Sequence, residues 1–116
     1  MKKKKRDICT TSFVYLIYDN MQELYKIGVT RSLSEKRLKQ LQTGNGNELF
    51  VLKQHETLYP FRIESYLHNK FSLKREMGEW FRLDKEDVEH FNEICQKYEE
   101  VINVMKDNVF FAKKLR

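Results

Sequence analysis

The chain has 116 residues, room for one domain with a modest core, and its 41% hydrophobic and 13% aromatic content can fill that core. One Pro and four Gly exclude a linker-rich or low-complexity chain, and no apolar run approaches the ~20 residues that a membrane-spanning helix needs. The net charge of +5 is unevenly spread: Lys2 to Arg6 carry five positive charges, residues 26–75 sum to +6 and residues 76–107 to −6.

In chain order, residues 1–12 read as a basic disordered arm. It lacks the apolar segment that would make Met1–Arg6 the start of a secretory signal. Phe13 to Tyr18, apolar, aromatic and partly β-branched, predicts a buried strand. Asp19-Asn20 supplies a turn, and Tyr25 to Thr30 a second strand, antiparallel to the first. Ser32 with Glu35 fits a capping box, so a helix should begin at about Leu33 with Leu38 and Leu41 as apolar anchors. Gly44 suits its stop and Asn45-Gly46 a tight turn. Leu49 to Leu52, extendable to His55, is a third strand. Pro60 can occupy the first turn of the next helix, where Ile63, Leu67 and Phe71 form a buried stripe. Gly78 to Phe81 is a short extended piece.

Asp84 then caps a long helix in which Val88, Phe91, Cys95, Tyr98, Ile102 and Met105 share one face. That face should pack on the domain, although a dimer seam over residues 84–105 is the other use of such a pattern. The division is therefore an arm (1–12), a domain (13–83), an amphipathic helix (84–106) and a basic tail (107–116). Cys9 and Cys95 are far apart and lack metal-ligand spacing. Free thiols in a reducing compartment are expected ahead of a structural disulfide, which points to the cytoplasm, or to the interior of a host cell for a viral protein.

Basic charge across residues 26–75 suits a polyanion, whose phosphates attract Lys and Arg and release counterions on binding. Charge alone is served slightly better by a solvated surface, so the weight falls on particular residues. Tyr15 sits mid-strand and shares a face with Phe13 and Ile17. Alone it would be a core tyrosine. Gly28 follows Lys26-Ile27 on the second strand and leaves space for a close approach by a side chain or a phosphate. Lys26 can contact a phosphate or lower a nearby phenol's pKa by its charge. Arg37 lies one turn before Leu41, at the border of the apolar stripe. There it offers either a forked contact to phosphate or an ordinary salt bridge. Lys36 and Lys39 flank it as candidate substrate contacts. Glu64 and His68, four residues apart, project from one side of a helix. They could be a plain surface pair, or a hard carboxylate ligand for Mg²⁺ or Mn²⁺ with a histidine that orients water.

In order and context these residues resemble the GIY-YIG nucleases. Val14-Tyr15-Leu16-Ile17 stands at the first motif and Lys26-Ile27-Gly28 at the second. Arg37 follows in Glu35-Lys36-Arg37-Leu38, and Glu64 in Ile63-Glu64-Ser65-Tyr66-Leu67-His68. The chain looks closest to a viral and bacterial branch with a Tyr-Lys-Ile-Gly second motif, a Leu-Gln-Thr-Gly-Asn turn (Leu41 to Asn45) and a closing Gly-Glu-Trp-Phe (Gly78 to Phe81). Together the motifs cover residues 13–83. The resemblance implies an α/β (α+β) sandwich with a small three-stranded antiparallel sheet flanked by helices, one divalent ion, Mg²⁺ or Mn²⁺, and hydrolysis of DNA.

Under that likeness Tyr15 activates the attacking water, Arg37 stabilises phosphoryl charge, Glu64 holds the metal and His68 assists. Two positions depart from the family pattern. Phe13 replaces the first-motif Gly. Lys26 replaces the second-motif Tyr, and Tyr25 beside it faces the other side of its strand. Lys26 can fill part of the missing role electrostatically. The alternatives are a nucleic-acid-binding module of the same fold with weakened catalysis, and an interaction protein built on the 84–105 helix. The partner expected is DNA, with RNA left open, and no membrane. The basic arm and the Lys113-Lys114-Leu115-Arg116 tail can add phosphate contacts without reading sequence, so low intrinsic sequence specificity is expected, or specificity supplied by a partner or a dimer.

Overall fold

The computed structural model describes residues 11–33, 35–43 and 48–106. Most of the expected basic arm, Cys9, the Gly44 stop, the Asn45-Gly46 turn, the 107–116 tail and the side chains of Glu35 and Leu41 lie outside that description.

Two strands, β1 (Ser12–Asp19) and β2 (Leu24–Thr30), form an antiparallel hairpin with Tyr15 opposite Gly28 and Ile17 opposite Lys26. Their aromatic and β-branched residues suit a pleated, half-buried surface. Asp19 builds the turn. Its carboxylate is buried and accepts from the backbone N–H of Met21 at 3.0 Å and of Gln22 at 3.2 Å. Glu23, at φ 56°, then donates its N–H to the Asp19 carbonyl at 2.8 Å. Helix α1 (Glu35–Thr43) begins two residues later than the capping pattern suggests. Strand β3 (Leu49–Thr57) pairs antiparallel with the other edge of β1 and runs past His55.

The expected three-stranded sheet is larger than the sequence suggests. It has five strands in the order β3-β1-β2-β5-β4, where β4 is Arg75–Met77 and β5 is Trp80–Phe81. Gly78, at φ +54°, turns the β4–β5 hairpin in a conformation that favours glycine. Tyr25 and Lys26 then receive Phe81 and Trp80 as partners. A three-residue, fully exposed strand reading Arg-Glu-Met carries no alternation and little strand preference, so only the pairing reveals it.

Strand alternation sorts the side chains. Val14, Leu16 and Ile27 join Ile63 and Leu67 of α2 (Pro60–Lys70), its C-cap Phe71, and Phe91, Cys95 and Ile102 of α4 (Phe91–Lys106) in one core. Rings of Tyr66 and Tyr98, stacked at 4.1 Å and 7°, tie these two helices together. Burying this many large apolar side chains, at ~1.5–3 kcal/mol each, is what anchors α2 against the sheet. Tyr15, Ile17, Lys26 and Gly28 point to the opposite face, on the side of α1.

The long helix expected from residue 84 onward is two helices. Asp84 caps α3 (Lys85–Glu89) in a capping box with Asp87, and α4 starts afresh after His90. The His90 ring Nδ1 lies 2.9 Å from the Glu86 carbonyl that its own backbone N–H already takes at 3.0 Å. His90, at φ −95° and ψ 7°, is the C-cap of α3, and the apolar stripe runs on through the break. The stripe is used inside the domain, against the sheet and α2, rather than being free for a dimer seam.

Cys95 is a free thiol, fully buried, and burial with the nearby Glu99 charge pushes its pKa up to about 12. It is therefore an inert thiol at neutral pH. In a Cys9→Ser protein, Cys95 should react with a thiol reagent at pH 8 only as fast as the domain unfolds; rapid labelling without denaturant would contradict this packing. The shift also fixes a sign. A thiol held more tightly protonated in the fold adds stability that is complete below the ordinary value of 9.0 and is lost as pH rises toward about 12.

Candidate functional site

The site grows from the middle of β2. Strand β5 pairs with β2 only at Tyr25 and Lys26. One residue further on, the Ile27 N–H donates to the Glu79 carbonyl at 3.1 Å. The Ile27 carbonyl accepts from His68 Nε2 at 3.0 Å. No backbone group of Ile27 is left without a partner, but the strand edge now faces α2 and the β4–β5 hairpin rather than a full neighbour.

Across β1, the Tyr15 ring lies on Gly28. A Cβ added to Gly28 would stand 2.6 Å from Tyr15 Cζ and 3.0 Å from Cε1. The close approach that Gly28 permits is thus taken by the phenol. Tyr15 is 2% exposed, and burial pushes its pKa up to about 12. The charges of Glu79 and Glu64 add to that rise, while the Arg37 guanidinium opposes it. Residues from α1, α2 and the β4–β5 turn therefore act on a single phenol of β1.

Arg37, half-buried on α1, donates from Nε to Thr30 Oγ1 at 3.2 Å. Thr30 in turn donates to the Ser32 carbonyl at 2.9 Å. The guanidinium is thereby moored to the end of β2, two residues beyond Gly28 on the same face.

Glu64 is one turn before His68 on α2, with its side chain 18% exposed. Its pKa is raised, first by burial and then by Glu79, which acts through its charge and a side-chain hydrogen bond; His68 and Lys26 pull the other way. Lys26 Nζ is 4.0 Å from Glu79 Oε1 and 6.0 Å from the Trp80 ring centre.

His68 has both ring nitrogens engaged. A carbonyl only accepts, so Nε2 carries the proton toward Ile27. A guanidinium only donates, so Nδ1 accepts from Arg75 Nη2, 3.1 Å away. The Phe81 ring supports this histidine edge-on at 4.9 Å. His68 is thus a strut between β2, α2 and β4, and its Nε2 is 3.9 Å from Glu64 Oε2.

The structure brings Tyr15, Lys26, Arg37, Glu64 and His68 to one region, and adds two residues. Glu79 sat unassigned inside the Gly-Glu-Trp-Phe motif, where an acid between a turn glycine and a core aromatic was the available signal. Arg75 carried no signal, because its role depends on a strand the sequence does not announce. Lys36 and Lys39 are exposed on α1. Lys39 lines a different cleft, of about 540 Å³, with Ile17, Leu38, Gln42, Leu49, Phe50 and Val51. A polar cleft of about 340 Å³ opens at the site itself, lined by Glu64, Ser65, His68, Asn69, Ser72 and Arg75.

Among the described residues, no group of three or more His, Cys, Asp and Glu converges as a fully protein-ligated metal centre would. Glu64 and Glu79 nevertheless fit one hard divalent cation. Each is an oxygen donor, and Glu64 is held against ionisation by burial and its acidic neighbour. A cation between them relieves that cost, with waters and substrate phosphate completing the shell, as Mg²⁺ ordinarily binds.

A protein-family model described as the T5orf172 domain matches residues 12–98. No curated protein and no solved structure matches the chain.

Proposed function

The chain belongs to the T5orf172 domain family, and from that premise we propose that it is a divalent-metal-dependent endonuclease, hydrolysing DNA phosphodiester bonds through a GIY-YIG-type site. The observation that carries this reading is that Arg37 and Glu64, from two different helices, both bear on the phenol of Tyr15. A guanidinium and a carboxylate acting on one phenol are the groups a phosphodiester hydrolysis needs.

Glu64, with Glu79 beside it, would hold one Mg²⁺ or Mn²⁺. The ion, when bound, supplies positive charge at the phosphoryl oxygens and at the leaving 3′ oxygen. Arg37 spreads a forked pair of N–H donors toward the phosphoryl oxygens. Lys26 offsets the Glu79 charge and keeps the opening from being wholly acidic. Tyr15 orients the attacking water. With a pKa near 12 its phenol keeps its proton at pH 7, so the fraction able to accept a proton grows as pH rises. His68 fixes the geometry between β2 and α2.

The test is a panel of duplex, branched and single-stranded DNA, and RNA, with Mg²⁺, Mn²⁺ or EDTA. Metal-dependent cleavage is expected, increasing from pH 6 to pH 9, and Tyr15→Phe should lower it by about 10²-fold or more while leaving DNA affinity intact. Absence of cleavage across the whole panel with either metal would overturn the enzyme reading in favour of nucleic-acid binding without turnover.

A further inference from the structure

Arg75 lies outside the groups given a chemical task above, yet it is one of the most firmly positioned exposed cations near the site. Its Nη2 donates to His68 Nδ1 at 3.1 Å, and its guanidinium carbon stands 5.6 Å from the centre of the Phe81 ring. Phe81 is fully buried and sits opposite Arg75 in the β4–β5 register. His68 is fixed in turn by the Ile27 carbonyl. An exposed arginine ordinarily samples many rotamers; this one is held by a ring beneath it and an imidazole beside it, so little ordering entropy remains to be lost on binding.

The same guanidinium lines the polar cleft that Glu64 also lines. Ser65, Asn69 and Ser72 line it too, all exposed, with hydroxyl and amide groups able to donate to an anionic oxygen. The cleft thus has an acid near one ring nitrogen of His68 and a fixed guanidinium at the other, with neutral donors in its lining. A nucleic-acid backbone, with phosphates at regular spacing, fits that order: one phosphate beside Glu64 with its cation, the next beside Arg75.

We propose that the Glu64–Arg75 cleft is a second phosphate seat, in which Arg75, steadied by His68 and Phe81, binds the backbone phosphate adjoining the one that reacts. The proposal rests on the nuclease reading for the identity of the reacting phosphate. His68 is then a positioning residue for Arg75, and the hairpin of β4 and β5 is part of the substrate-binding surface.

The experiment measures binding of a fluorescent 30-base-pair duplex in a Glu64→Gln background across a salt series, and cleavage in the otherwise unaltered protein. Arg75→Ala should weaken binding about tenfold and lower the slope of log affinity against log salt by about one. It should also cut kcat/KM by about tenfold or more. Arg75→Lys, which keeps the charge without the fork, should retain most of the slope but not the cleavage rate. Arg82→Ala removes a neighbouring surface charge that pairs with Glu76 instead, and should change the slope little. An Arg75→Ala protein indistinguishable from Arg82→Ala in slope and affinity would overturn the seat, as would absence of measurable duplex binding at low salt. A slope that falls by one in a protein that cleaves nothing would keep the seat and refute the nuclease reading, so the two fail separately.

Discussion

Glu64→Gln should abolish metal-dependent cleavage, by roughly 10³-fold in kcat, a loss typical of removing one charge-stabilising element from an active site, while leaving the domain at least as stable as before. The two halves of this expectation have one cause. Glu64 is mostly buried, and its neighbours on balance disfavour its ionised form: burial and Glu79 raise its pKa against the weaker pull of His68 and Lys26. An acid bound more tightly to its proton in the fold than in the unfolded chain contributes stability at acidic pH that is lost as pH rises past its ordinary carboxylate value. Glutamine is the same size, carries no charge to desolvate, and can donate to Glu79. At pH 7.5 the melting temperature should therefore hold or rise. An ordinary structural carboxylate would behave in the opposite way, losing stability without losing a specific activity. Cleavage by Glu64→Gln within tenfold of the parent protein, at saturating Mg²⁺, would show that another group holds the cation.

Much of this arrangement was legible in the sequence, where local pattern dictates structure. The run Phe13 to Tyr18 and the stripe Ile63, Leu67 and Phe71 are periodic signals strong enough to set both the hairpin and the face of α2, and those two elements bring Tyr15 and Glu64 toward each other. The Asp84 cap was readable because it rests on side-chain chemistry within one turn. What escaped was decided by tertiary pairing. Strand β4 exists because the Gly78 turn folds Arg75–Met77 back along Trp80-Phe81, and nothing in Arg-Glu-Met asks for it. The two residues that this hairpin delivers, Arg75 and Glu79, were consequently left without roles. The break at His90 escaped for a different reason. The apolar spacing from Val88 to Ile102 continues through it, so periodicity reports one helix where the backbone at His90 divides it in two.

The glycine opposite Tyr15 offers a sharper test, because it concerns the placement of the phenol and not the chemistry. Gly28 and Tyr15 are direct partners across the β1–β2 pair, and a Cβ on residue 28 would stand 2.6 Å from Tyr15 Cζ. Carbon atoms in contact prefer about 3.5–4.0 Å, so Gly28→Ala must tilt the ring or part the strands. Tyr15 is 2% exposed, so its ring must move against buried neighbours, at a cost of about 1–3 kcal/mol, the range for overpacking. Cleavage should fall even where the domain stays folded, since the hydroxyl that orients water is displaced. Removing the ring removes the conflict. In a Tyr15→Ala background the same Gly28→Ala change should be nearly neutral, or slightly stabilising, because alanine suits a strand better than glycine. The coupling between the two positions, read from a double-mutant cycle of denaturant unfolding, should therefore be of the order of 1–3 kcal/mol. Additive costs would mean that Gly28 serves its strand for another reason, and that the phenol is held in place by Glu64, Glu79 and Arg37 rather than by the space a missing side chain leaves.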